Sequence, residues 1–221
     1  IVFGGPHLNP TPATQQGCIN PPTRVQACSL IDTFLTTRVA LRILGARQGD
    51  LAGFSVAGVG NAIGDSRPDV LVGAPFALNS AGDSTGKAYL IGGEYIASVI
   101  STARTTGGTA VATIDLATPA ATATLRTFTG LGSGDQAGNS VAGLGQGHFI
   151  VGAPMNGAAP KQERGSAYVF KSLRGSAGSG TLTPFAIVLG PSFHAHLGGV
   201  PVADFTGTGY RGYGVSGIRN P

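Results

Sequence analysis

A chain of 221 residues with only 11% charged side chains and 37 glycines cannot build long charge-rich helices; short Val/Ile/Leu runs between Gly, Ser and Thr clusters point to many short strands joined by turns. The net charge of +4 reflects scarce acids, with glutamate only at Glu94 and Glu163. Lys and Arg are scattered singly, so the balance does not imply a nucleic-acid partner, and no apolar run approaches the ~20 residues of a membrane-spanning helix.

The chain opens on Ile1-Val2-Phe3-Gly4-Gly5, which reads as the end of a strand (residues 1–5) and makes a piece of a longer product the expectation. Residues 6–38 form an insertion rich in Pro and polar residues, with a short helical turn expected near 29–35. Cys18 and Cys28 lie close together in it. A local disulfide would pin a loop that lacks a core of its own, and would imply an oxidising compartment; a reduced, unrelated pair is the alternative. No metal cluster is expected at these cysteines, because no His or further Cys is near.

Strands are expected at 39–44, 54–59, 69–72 and 87–91, the third a continuous apolar run suited to a sheet centre. Residues 99–124 read as a Thr/Ala-rich insertion with an edge hairpin at 110–116. A second set follows at 125–128, 140–144, 148–151 and 166–170, and a third begins at 185–189 and continues through 200–205 and 210–216.

These sets repeat. Gly49-Asp50-Leu51-Ala52-Gly53-Phe54-Ser55-Val56-Ala57-Gly58-Val59-Gly60 returns as Gly134-Asp135-Gln136-Ala137-Gly138-Asn139-Ser140-Val141-Ala142-Gly143-Leu144-Gly145, and both run on to Val-Gly-Ala-Pro, at 72–75 and 151–154. A long-period repeat of this kind suits a multi-stranded unit rather than a short solenoid rung. Four short strands per repeat with tight turns match one propeller blade.

Several phrases imitate catalytic motifs without their context. Gly53-Phe54-Ser55-Val56-Ala57 and its partner at Ser140 lack the last Gly of a nucleophile elbow and fall within strands. Gly82-Asp83-Ser84-Thr85-Gly86-Lys87 is one residue short of a phosphate loop and leads into a strand, so a hairpin turn is expected. His194 and His196 have no third ligand, and His148 reads as structural. The acids are too few to assemble a catalytic set, so no enzymatic activity is expected.

The pattern Gly-Asp-x-x-Gly-Phe-Ser-Val-Ala, then Asp-x-x-Val-Gly-Ala-Pro, then Gly-x-Ala-Tyr resembles the FG-GAP repeat of integrin α-subunit β-propellers and their bacterial and algal relatives. The resemblance is strongest around Gly53-Phe54 and Gly73-Ala74-Pro75; the second repeat departs from it with Gly138-Asn139. It implies an all-β fold of four-stranded antiparallel blades: an end strand at 1–5, a first blade at 39–98, a second at 125–172, and a partial third at 173–221. Three blades cannot close a ring, so the remaining blades would come from the same or another chain.

The resemblance further implies an extracellular or cell-surface adhesion or scaffold module, non-catalytic, binding a protein or glycan partner through face loops. Alternatives are an accessory or substrate-binding part of a secreted carbohydrate- or lipid-processing enzyme, and a structural subunit of a surface filament. In the family the loop between the first two strands often holds calcium. Here Asn61, Asp65 and Asp69 match its first, third and last carboxylate positions, with the Arg67 carbonyl as a further oxygen. Ile63 stands where a ligand belongs and Asn61 replaces an acid, which weakens the site; the alternative is a turn closed by side-chain hydrogen bonds to backbone. The second repeat reduces this loop to Gln146-Gly147-His148, and the third, at 204–212, keeps only Asp204.

Overall fold

Val70-Leu71-Val72 and Phe149-Ile150-Val151 are continuous apolar runs, and each becomes a strand inside a sheet, where both faces must be covered. The computed structural model describes residues 41–105, 112–155, 165–174 and 179–190. In chain order these form β1 (Leu41–Leu44), β2 (Ser55–Gly60), β3 (Asp69–Ala74), β4 (Lys87–Ile91), α1 (Gly93–Thr105), β5 (Ala112–Asp115), β6 (Leu125–Thr129), β7 (Ser140–Gly145), β8 (His148–Ala153), β9 (Ser166–Phe170), β10 (Gly180–Thr181) and β11 (Ala186–Leu189). The described residues are thus mostly β-sheet with one short helix, as composition leads one to expect. The disulfide expected between Cys18 and Cys28, the turn at 29–35, His194 and His196, and the third repeat beyond residue 190 lie outside the described residues.

The chain divides into two compact units. One holds β1 and β5, paired in parallel with Leu41 opposite Ala112, together with most of α1. The other holds both repeats. Its first sheet has the order β10-β6-β4-β3-β2 and its second β11-β9-β8-β7. Within each, four strands run antiparallel; the short β10 joins β6 in parallel. Among the described residues the sheets do not close into a ring.

Strand membership departs from the sequence expectation. Leu41–Leu44 was expected to open the first sheet, but it pairs with β5, which is not part of a hairpin. The fourth strand of the first sheet is β6, with Ile91 opposite Leu125, and the fourth strand of the second is β11. Alternation within a strand tells which face is buried, not which neighbour it joins. The helix is the second departure. The sequence places the end of a repeat at 93–98 and a Thr/Ala-rich insertion with an edge hairpin at 99–124, yet Gly93–Thr105 is helical. Tyr95, Ile96, Val99 and Ile100 recur on one helical face, Glu94 stands in the first turn and Arg104 in the last; Tyr95 and Ile96 are buried.

The two repeated phrases occupy equivalent places, bond for bond. The N–H of Gly53 donates to the Gly73 carbonyl and that of Gly138 to Gly152, both at 3.0 Å. Phe54 donates to Leu51, as Asn139 does to Gln136; Phe76 donates to Asp50, as Met155 does to Asp135. Leu51 and Gln136 share a left-handed backbone, with φ of 54° and 56°. Both inner strands shift register at the same point, between Gly58 and Gly60 and between Gly143 and Gly145. The repeat is therefore structural as well as textual.

The sheets pack face to face over one core. Phe128 of β6 lies with its ring centroid 4.7 Å from Tyr168 and 5.2 Å from Phe170, and Phe149 stacks on Phe170 at 4.8 Å. Leu71, Ala88, Leu90, Val141 and Val151 fill in around them. Each large side chain buried here contributes about 1.5–3 kcal/mol. At the inner edge the backbones nearly touch. The Ser55 hydroxyl donates to the Gly138 carbonyl at 2.8 Å, and a Cβ on Gly73 would lie 2.0 Å from that same oxygen. Only glycine permits this approach.

Candidate functional site

The site singled out by the resemblance is the connection from β2 to β3, residues 61–68. Asp69, the first residue of β3, is fully buried. Its Oδ2 accepts the N–H groups of Ala62 at 2.7 Å and Ile63 at 2.8 Å, and its Oδ1 accepts that of Gly93 at 2.8 Å. Asp65 Oδ1 accepts from Arg67 N at 2.8 Å and Oδ2 from Glu94 N at 3.1 Å. Asn61 Oδ1 accepts from Gly64 N at 2.7 Å, while its Nδ2 donates to the Asp65 carbonyl. Asn61, Asp65 and Asp69 are thus brought together as expected, but in a ring of six backbone N–H donors. Ile63 sends its side chain into the shared core.

A calcium ion at this connection would have to share its ligand oxygens with these N–H donors. A hard cation needs six to eight oxygens whose lone pairs face it. Here each of the five side-chain oxygens of Asn61, Asp65 and Asp69 already faces an N–H. Two of the donors, Gly93 and Glu94, belong to the first turn of α1, the positive end of the helix dipole. Burial pushes the Asp69 carboxyl above its ordinary value, against the pull of the Ile63, Gly93 and Ala62 N–H groups, and the neighbouring Asp65 charge adds to the push. Glu94 is held below its ordinary value, first by the Ser66 hydroxyl that donates to Oε1 and then by Arg67, whose Nε stands 3.3 Å away. The Arg67–Glu94 pair is exposed, so solvent screens it.

The second repeat closes the same connection with Gln146 and Gly147, at φ of 52° and 80°, the two-residue hairpin turn that left-handed geometry favours. His148 Nδ1 accepts the Ser172 N–H at 2.9 Å, a structural role. Ser55 and Ser140 lie within strands, Ser55 donating to backbone as described. Residues 82–87 join antiparallel β3 and β4, so the phosphate-loop imitation is a hairpin connection as expected; Asn79 Oδ1 organises it by accepting from Ala81 and Asp83.

A second surface escaped the sequence reading. Leu51, Phe54, Val56 and Phe76 of the first repeat are all exposed, Val56 to 54%. Its equivalent Val141 is 8% exposed, buried against the first sheet. The signal was in the comparison of the repeats: where the first has Leu51, Phe54 and Phe76, the second has Gln136, Asn139 and Met155. An exposed apolar set is a mark of an interaction surface.

No family model matches the chain, and no curated protein matches it. Among the described residues no helix is long and apolar enough to cross a membrane, and no group of three His, Cys, Asp or Glu side chains is placed to hold a metal.

Proposed function

We propose that this chain is a non-catalytic adhesion or scaffold module of the extracellular space or cell surface, and that its four-stranded sheets are blades of an FG-GAP-type propeller completed by remaining blades of the same or another chain. The partner it binds is a protein or a glycan. The observation that carries this reading is the exposed set Leu51, Phe54, Val56 and Phe76, three of which stand in the connections flanking β2 and β3. Aromatic side chains on rigidly held loops are the usual anchors of protein interfaces and stack readily on sugar rings. The loops are rigidly held: the phrase around Phe54 is fixed by the same backbone bonds in both repeats.

The test is a binding screen of the purified chain against extracellular-matrix proteins and a glycan array, repeated with Phe54→Ser and Phe76→Ser. Loss of binding of at least about tenfold, with the thermal melt unchanged, is expected, as for removal of an interface anchor. Binding that survives both substitutions, or turnover of a glycan or lipid substrate, would sink the reading.

A further inference from the structure

We propose that the N-terminus of α1 takes the place of a cation at the β2–β3 connection, so that this loop closes without calcium. Loop closure of this kind needs positive charge facing carboxylates. A metal ion supplies it from outside; here the chain supplies it from within. The Gly93 N–H meets Asp69 Oδ1 and the Glu94 N–H meets Asp65 Oδ2, so the two carboxylates cap the helix from 24 and 29 residues upstream. Unpaired N–H groups at a helix start carry roughly half a unit of positive charge and suit an anion, not a metal. The other hydrogen bonds to these oxygens come from the loop's own N–H groups at Ala62, Ile63, Gly64 and Arg67.

A Cβ on Gly93 would lie 2.3 Å from the Pro68 carbonyl and 2.6 Å from Arg67 Cβ. The helix start is therefore seated against the loop as closely as a backbone can come, and glycine is what lets it. The second repeat supports the same logic by contrast. It carries no long loop to close, its connection being two residues, and β9 is not followed by a described helix.

Adhesion and loop closure are separable properties, and so are their tests. The full chain is melted in millimolar calcium and in chelator, calcium binding is followed by titration calorimetry, and amide exchange is read at Ala62, Ile63, Gly93 and Glu94. The expected result is one melting temperature in both conditions, no heat of calcium binding, and protection of all four amides in chelator. Asp65→Asn, the milder substitution, keeps one acceptor oxygen and speeds exchange at least tenfold at one of Glu94 and Arg67 while the sheets stay folded; Asp69→Asn does the same at one or more of Ala62, Ile63 and Gly93. A melting temperature that rises with calcium, exchange that slows only when calcium is added, or unchanged exchange at both Glu94 and Arg67 in Asp65→Asn would each overturn the proposal.

Discussion

Replacing Gly138 by alanine should cost far more than replacing Gly53, although the two hold the same place in their repeats. Both have a left-handed backbone, with φ of 86° and 93°, which strains any residue with a Cβ by about 1–2 kcal/mol. At Gly53 that is the whole effect, because a Cβ there meets nothing within 4 Å. At Gly138 the Cβ would lie 2.2 Å from the Lys87 carbonyl oxygen and 2.9 Å from Ala74 N. Both are backbone atoms of the paired residues Ala74 and Lys87, so neither can withdraw without opening the β3–β4 ladder. Ordinary contact is about 3.5–4.0 Å, and overpacking of this severity costs about 1–3 kcal/mol or more. Gly138→Ala is thus expected to lose about 2–5 kcal/mol and Gly53→Ala about 1–2 kcal/mol. Urea melts followed by circular dichroism should separate them by the overpacking cost, about 1–3 kcal/mol, or by roughly 2–12 °C in melting temperature for a protein of this size. Equal losses would refute the close approach of the two sheets at Gly73 and Gly138.

Further expectations concern side chains. Tyr89→Phe should leave stability unchanged or raise it, because the Tyr89 hydroxyl is buried without a hydrogen-bond partner among the described residues, whereas Tyr168→Phe gives up a bond with Ser166 and should lose about 1 kcal/mol by thermal melt. Burial, reinforced by the Asp50 charge, pushes the Tyr89 pKa up from 10.0 to about 12. Its neutral form is favoured in the fold, so the associated stability is complete below pH 10 and is lost as pH rises through about 12; alkaline melts of wild type and Tyr89→Phe should differ by about 2–3 kcal/mol over that interval. Asp69→Asn should lose about 2–3 kcal/mol at neutral pH, since an amide cannot accept all three N–H groups and leaves one unsatisfied. Because the folded pKa of Asp69 is raised, its proton-linked stability is present below 3.8 and lost as pH rises through the folded value; the gap between wild type and Asp69→Asn should therefore widen on acidification in paired melts. Phe128→Ala should lose about 3–5 kcal/mol, as it empties the place between Tyr168 and Phe170, and Leu131→Ser, at an exposed site, should stay within about 0.5 kcal/mol in the same melts.

Local chemistry in the sequence determined a good deal by itself. The alternating and apolar runs at 69–74, 87–91, 148–153 and 166–170 made strands, because such runs hide their surface only in sheets. The twin phrases around Gly53 and Gly138 made twin structures, since their glycines and prolines dictate backbone angles that depend little on distant neighbours. Tertiary structure decided the rest. It gave Leu125–Thr129 to the first sheet and Leu41–Leu44 to a different unit, since a strand's alternation carries no address for its partner. It also capped α1 with Asp65 and Asp69, carboxylates far upstream that no local pattern at the helix start announces. The same contacts turned three oxygen-bearing residues with a calcium-like spacing into acceptors for backbone N–H. Spacing brings the oxygens together, but what they face depends on which part of the chain folds back upon them.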